Sequence, residues 1–410
     1  MKLIGPFAQL LTMDHLPSKG SIADDQLEII PNSGLVVDDG LVVETGDYLN
    51  LEKKAIQLGY EFEKLIGEMV AIPGLIDAHT HICWAGSRGD DYAKRLSGKT
   101  YLEIAAEGGG IWNTVQKTRA ASLEELIAIT QNRANEMLFN GITTIEVKSG
   151  YGLSVEVELK ILKAIKAAET KADLIATCLA AHIRPNDFDG WNLVYLEKII
   201  HELLPLVKAQ KLSNRVDIFV EESAFSINEA GIYLQEAKAL GFDLVIHGDQ
   251  FTLGGSRLAI ELGAVSVDHL EVSDQDSILK IAKSNVVAVV LPGASIGLGL
   301  PFAPARKLLD AGACVAIASD WNPGSAPMGD LLCQAAIIGS YEKLTITETL
   351  AAITVRAAKA LKMDDRGVLK PGNIADIVAF KTNNYRDIVY RQGNLKPVQV
   401  WKRGTPIRPR

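Results

Sequence analysis

Met69-Val70-Ala71-Ile72-Pro73-Gly74-Leu75-Ile76 runs into Asp77-Ala78-His79-Thr80-His81. A short apolar run bounded by turn residues reads as a buried β-strand. Successive strand residues point to opposite faces, so the two imidazoles of His-x-His point the same way. Two further polar residues close apolar runs in the same manner: residues 243–246 deliver His247, and residues 314–319 deliver Asp320. A lone histidine is more often a packed core residue. Here the chain holds only seven histidines, and placement at strand ends favours ligation. A buried carboxylate without a partner is costly, and a cation would give Asp320 that partner. Three imidazoles and one carboxylate suit zinc or iron better than calcium or magnesium.

The middle of the chain alternates strand-like and helix-like segments. Strand candidates are residues 69–76, 142–147, 174–181, 216–221, 244–246, 264–268, 286–291 and 315–318. Amphipathic helical stretches at 122–140, 154–171, 191–212, 227–240, 273–284 and 304–311 lie between most of them, the first opened by a Ser-x-x-Glu capping box. Eight β/α repeats predict a closed (β/α)₈ TIM-like barrel, whose reactive face lies at the C-terminal strand ends. Both termini are strand-rich instead. Asp39-Gly40 between Leu35-Val36-Val37 and Leu41-Val42-Val43 reads as a hairpin turn. The expectation is therefore an α/β protein: a barrel over residues 69–359 and a small β-sandwich domain built from residues 1–68 and 360–410.

Composition narrows the class. The 410 residues carry a net charge of -8 and are 48% hydrophobic. No basic stripe with interleaved aromatics appears, so no nucleic-acid partner is expected. The uncharged run at 284–305 is broken by Pro292, Gly293, Gly297, Gly299, Pro301 and Pro304, so it reads as a strand and a loop, with no membrane partner. No signal peptide is expected from the first residues. Four dispersed cysteines without a CxxC pair read as buried thiols of a cytoplasmic protein.

Other residues fall at the same strand ends. His182 closes the third candidate strand and His269 the sixth, where either could polarise a carbonyl or move a proton. Arg88 follows His-x-His closely enough to clamp a substrate carboxylate. Tyr151, between two glycines, could donate to a substrate. Gly108-Gly109-Gly110 lacks the Lys-Ser/Thr of a phosphate loop and reads as a tight turn at the mouth. His15 and His201 read as surface or packing residues.

Together these segments resemble a known family. Pro73 to His81 and Leu369-Lys370-Pro371-Gly372-Asn373-Ile374-Ala375-Asp376-Ile377-Val378 resemble the metal-dependent amidohydrolases. Within them, Trp84-Ala85-Gly86-Ser87-Arg88, Gly108 to Ile111, Glu146 to Leu153, Val267-Asp268-His269-Leu270-Glu271 and Ser319 to Gly324 resemble the imidazolonepropionases. The resemblance implies hydrolysis of 4-imidazolone-5-propanoate to N-formimidoyl-L-glutamate at one zinc or iron ion. It implies His79, His81, His247 and Asp320 as metal ligands. Arg88, Tyr151, His182, Asn322, Gly324 and Ser325 would contact a small anionic substrate, and the assembly would be a homodimer. Asp320, His182 or His269 would move the proton, and His182 or His269 would stabilise the oxyanion. Gln250, three residues after His247, can hold a substrate but cannot act as a general base, which counts against a nucleobase deaminase. The fourth strand ends Phe219-Val220-Glu221-Glu222 without lysine, against a lysine-bridged pair of metals. Ile183-Arg184 after His182 departs from the family pattern.

Overall fold

The computed structural model describes residues 1–99, 103–104 and 107–407, so the last three residues of the expected terminal segment lie outside it. Eight parallel strands follow one another in chain order: Leu75–Asp77, Ile142–Lys148, Asp173–Ala181, Arg215–Phe219, Asp243–Gly248, Ser266–His269, Val287–Val290 and Val315–Ile317. Helices fill most of the intervals, and capping boxes start those at Leu123–Phe139 and Ile227–Ala239. The seventh strand is buried on both sides, with Ala288 and Val290 in one apolar cluster and Val287 and Val289 in another. That is the expectation for a parallel sheet covered on both faces.

The first and eighth strands approach one another through their extensions. Thr80 bridges Trp321 in parallel, the His81 N–H donates to the Trp321 carbonyl (3.0 Å), and the Asp320 N–H donates to the His79 carbonyl (3.0 Å). This seam is what brings His-x-His beside Asp320.

The terminal strands, expected as a small β-sandwich, hydrogen-bond into one continuous eight-stranded sheet. Its order is Thr405–Ile407, Pro397–Lys402, Ile377–Phe380, Val70–Pro73, Lys2–Leu11, Ile29–Asp38 and Leu41–Asp47, with Glu61–Lys64 pairing the other half of Lys2–Leu11. Asp39 and Gly40 both have positive φ (46° and 78°), as a two-residue hairpin turn requires. Trp401 is fully buried here, edge-on to Phe7.

The run at 69–76 is not one strand. Val70–Pro73 belongs to the terminal sheet and Leu75–Asp77 to the barrel. Gly74 divides them because nothing larger fits: a Cβ there would lie 2.3 Å from Thr143 Oγ1 and 3.0 Å from Asp376 Cβ. Gly74→Ala is expected to destabilise the protein by about 1–3 kcal/mol through overpacking. Urea unfolding checks this, and an unchanged midpoint would count against a tight junction.

Two helical expectations also change. The stretch 191–212 is broken by a π-helical turn, Ile199–Leu203, just before Pro205, which has no N–H to continue the α ladder. The segment after the seventh strand, expected as loop, forms the helix Pro292–Leu298. Proline is at its first position, where the fixed φ suits a helix start. Cys83, Cys178 and Cys314 are buried free thiols and Cys333 is half-buried. Burial pushes the Cys83 and Cys178 thiols up to about 12. Among the described residues no helix is long and apolar enough to cross a membrane.

Candidate metal and hydrolytic site

Four donor side chains meet at the C-terminal end of the barrel. His79 Nε2, His81 Nε2 and Asp320 Oδ1 are mutually 3.3–3.4 Å apart. The His247 ring lies 4.5 Å from that of His79, centroid to centroid. All four residues are buried. Burial pushes His79 and His247 down to about 3, so at neutral pH both rings keep a lone pair for a ligand. Burial opposes ionisation of Asp320, but the His79 and His81 rings outweigh it and hold the carboxyl well below its usual range.

The other ring nitrogens of His79 and His247 face carboxylates. His79 Nδ1 lies 2.6 Å from Asp268 Oδ2. His247 Nδ1 lies 3.0 Å from Asp217 Oδ2, though without the alignment of a hydrogen bond. Such partners orient an imidazole and leave Nε2 as the ligating atom. Lys148, fully buried, ties the layer together: its Nζ is 2.9 Å from Glu146, 2.8 Å from Asp217 and 3.5 Å from Asp268. Burial would discharge this ammonium; the three carboxylates reverse that and raise its pKa.

The donor set fits a cation. His247 Nε2 is a buried nitrogen without a hydrogen-bond partner. Neutral imidazoles converging with one carboxylate are what a borderline-soft transition metal takes. His79, His81 and Asp320 form one group close enough to hold an ion, and His79, His247 and His269 form a second that shares His79.

A cavity of about 560 Å³ opens onto this cluster. His81, His247 and Asp320 line it, with His182, His269, Arg88, Tyr151, Gln250, Asn322, Gly324 and Ser325. The structure thus brings every site residue named from sequence to one mouth except His79, which sits just behind it. His15 and His201 are exposed and are not part of the cavity lining.

The walls differ in chemistry. His269 Nδ1 is 3.3 Å from Glu271 Oε1. Burial alone would lower this imidazole, but Glu271 overrides it and raises the pKa. His269 and Leu270 both have positive φ, 89° and 73°. These are strained values of the kind found at functional sites. His182 Nδ1 donates to the Gly150 carbonyl (3.1 Å), and burial holds the ring well below its ordinary pKa. A neutral ring with its proton on Nδ1 has none on Nε2. That corrects one expectation: His182 can accept a hydrogen bond from the mouth but cannot stabilise an oxyanion there. Asn322 is committed to its own loop. Its Nδ2 donates to the Asp320 carbonyl (2.7 Å), and its Oδ1 accepts from the N–H groups of Gly324 (2.7 Å) and Ser325 (2.9 Å). The Gln250 backbone N–H, with those of Phe251 and Thr252, donates to Glu221 Oε1, so the end of the fourth strand anchors the loop that carries Gln250. Arg184 donates to the Phe188 carbonyl and is not in the cavity lining.

Sequence reasoning missed Asp217, Asp268 and Lys148 as supports of the candidate histidines. A signal existed, because each is a charge within a strand expected to be buried, where burial demands a partner. It also missed Arg95, whose Nη atoms hold the carbonyls of Gly297 (3.2 Å) and Gly324 (3.0 Å) across the mouth.

Comparison with known proteins agrees with this fold. The sequence pattern of the amidohydrolase family matches residues 70–407. The imidazolonepropionase of Deinococcus deserti is 40% identical over 401 residues, covering 98% of each chain. That of Symbiobacterium thermophilum is 39% identical, covering 99% of this chain and 96% of its own. Among solved structures, a mutant atrazine chlorohydrolase from Arthrobacter aurescens complexed with zinc and atraton aligns with a TM-score of 0.69 at 17% identity, covering 99% of this chain and 95% of that one. An adenosine deaminase from Xanthomonas campestris with bound zinc aligns at 0.69 and 18%, covering 99% and 92%. At such identity the two structures speak for the fold.

Proposed function

The chain belongs to the amidohydrolase family and, within it, to the imidazolonepropionases, and from this premise we infer that it hydrolyses 4-imidazolone-5-propanoate to N-formimidoyl-L-glutamate, the third step of histidine degradation. The observation that carries the reading is the shared cavity: a metal-type donor cluster and the Arg88 guanidinium line the same mouth, as a small cyclic amide bearing a carboxylate requires.

His79, His81, His247 and Asp320 would hold one zinc or iron ion. When bound, such an ion supplies Lewis acidity, polarising a carbonyl and acidifying water. Arg88 pairs with the propionate carboxylate, and Tyr151, Gln250 and the 322–325 loop with Asn322, Gly324 and Ser325 wall the ring. His269 turns Nδ1 to Glu271 and offers Nε2 to take a proton from the attacking water, with Asp320 as the second acceptor. The water oxygen bonds to the ring carbonyl carbon and the ring C–N bond breaks. The proton held by the base passes to the departing nitrogen, leaving an N–H and a carboxylic acid that releases its remaining proton to solvent. His182 presents an unprotonated Nε2 to a donor on the substrate. Gln250 can bind but not carry a proton, which disfavours nucleobase deamination.

The same reading places the protein in the cytoplasm as a homodimer acting on a small anion, without nucleic acid or membrane. Buried free thiols and the net charge of -8 support it, and sedimentation analysis tests the assembly. The deciding experiment generates 4-imidazolone-5-propanoate in place from urocanate with urocanase. Loss of its ultraviolet absorbance and appearance of N-formimidoyl-L-glutamate are followed with and without a chelator. Chelator-sensitive turnover is expected; a folded, metal-loaded protein that leaves the substrate intact would overturn the assignment.

A further inference from the structure

The Gly108-Gly109-Gly110 turn takes no part in the chemistry above, yet it is fitted closely to the mouth. Gly108 and Gly110 have φ of 83° and 72°, a region that favours glycine. The Gly110 N–H donates to Asp91 Oδ2 (2.8 Å), and the same oxygen accepts from Arg88 Nε (2.9 Å). A Cβ on Gly109 would stand 2.5 Å from Asp91 Oδ1 and 2.7 Å from Ile104 Cγ2, so the turn leaves Asp91 no room to swing away. On the far side of the guanidinium, a Cβ on Gly324 would stand 2.3 Å from Arg88 Nη1. Arg95 holds the Gly324 carbonyl and so holds that wall in place.

Arg88 is therefore gripped at two points: a carboxylate at Nε and bare backbone beside Nη1. We propose that Asp91 is a positioning residue for substrate recognition, fixing Arg88 so that its Nη edge meets the substrate carboxylate, with the glycine turn as the seat that orients Asp91. The proposal rests on the reading above that Arg88 binds that carboxylate. The physical logic is preorganisation. An arginine on a loop loses rotamer freedom when it binds, and a side chain already held pays less of that cost. Binding Asp91 through Nε also leaves the two Nη groups for a forked contact with the ligand. Asp91 brings a negative charge near an anionic ligand, but its shared oxygen is already engaged by two donors.

The test is a double-mutant cycle on the metal-loaded, full-length protein, with KM and kcat measured separately for 4-imidazolone-5-propanoate. Arg88→Ala is expected to raise KM strongly. Asp91→Ala should raise KM about tenfold with kcat within about twofold, the pattern of lost ground-state binding. In the Arg88→Ala background, Asp91→Ala should change KM by less than about twofold, because interacting residues are non-additive. Asp91→Asn keeps an oxygen for the Gly110 N–H and serves if the alanine variant misfolds; its KM should fall between wild type and Asp91→Ala. An equal KM rise from Asp91→Ala in both backgrounds would mean that the residue only braces the fold and would overturn the proposal. A wild-type KM in Arg88→Ala would instead remove the carboxylate reading, and the proposal with it.

Discussion

Asp320→Ala and His79→Ala are each expected to lower turnover of 4-imidazolone-5-propanoate by at least about a thousandfold, the scale of losing a catalytic metal. Asp320 supplies the sole carboxylate of the donor set, its Oδ1 lying 3.4 and 3.3 Å from the Nε2 atoms of His79 and His81. His79 is common to both donor groups, so its loss breaks each of them. Metal content measured on the purified variants should fall with activity. Asp268→Asn gives the contrast: it touches His79 only through Nδ1, and weakened support of a ligand costs about 10–100-fold. A His79→Ala protein with full metal content and full turnover would sink the assignment of this cluster.

The second large effect is on stability. Lys148→Met should cost about 3–5 kcal/mol, the usual penalty for removing one partner of a buried charge network. Lys148, Glu146, Asp217 and Asp268 are all fully buried, and Lys148 is the only cation within 4 Å of all three carboxylates among the described residues. Methionine keeps the volume and removes the charge, leaving three carboxylates to repel one another or take up protons. Denaturant unfolding of chelator-treated wild type and variant separates this effect from loss of metal affinity. Equal midpoints would mean that the carboxylates find other compensation.

Much of this was legible in the chain. The Asp39-Gly40 turn and the Ser122 capping box act through residues a few positions apart, and the structure has each in place. The failures differ in cause. The helix Leu331–Glu342 buries nearly all of its first nine residues, so it carries no amphipathic stripe to read. The helix Tyr48–Leu58 carried its signals, an Asp47 cap and a left-handed Gly59, but stood among strands.

Local pattern thus determined the strand–helix alternation and the identity of the donors at strand ends, because periodicity, capping and turn chemistry are short-range. Tertiary structure alone decided where the run at 69–76 divides, which carboxylates face His79 and His247, and that Arg88 is held by Asp91 and faces Gly324. Those outcomes follow from barrel closure, in which Asp77 accepts the Ser319 N–H across 242 positions. No local spacing encodes a contact of that reach; it exists only once eight strands have packed and the seam between the first and the last has formed.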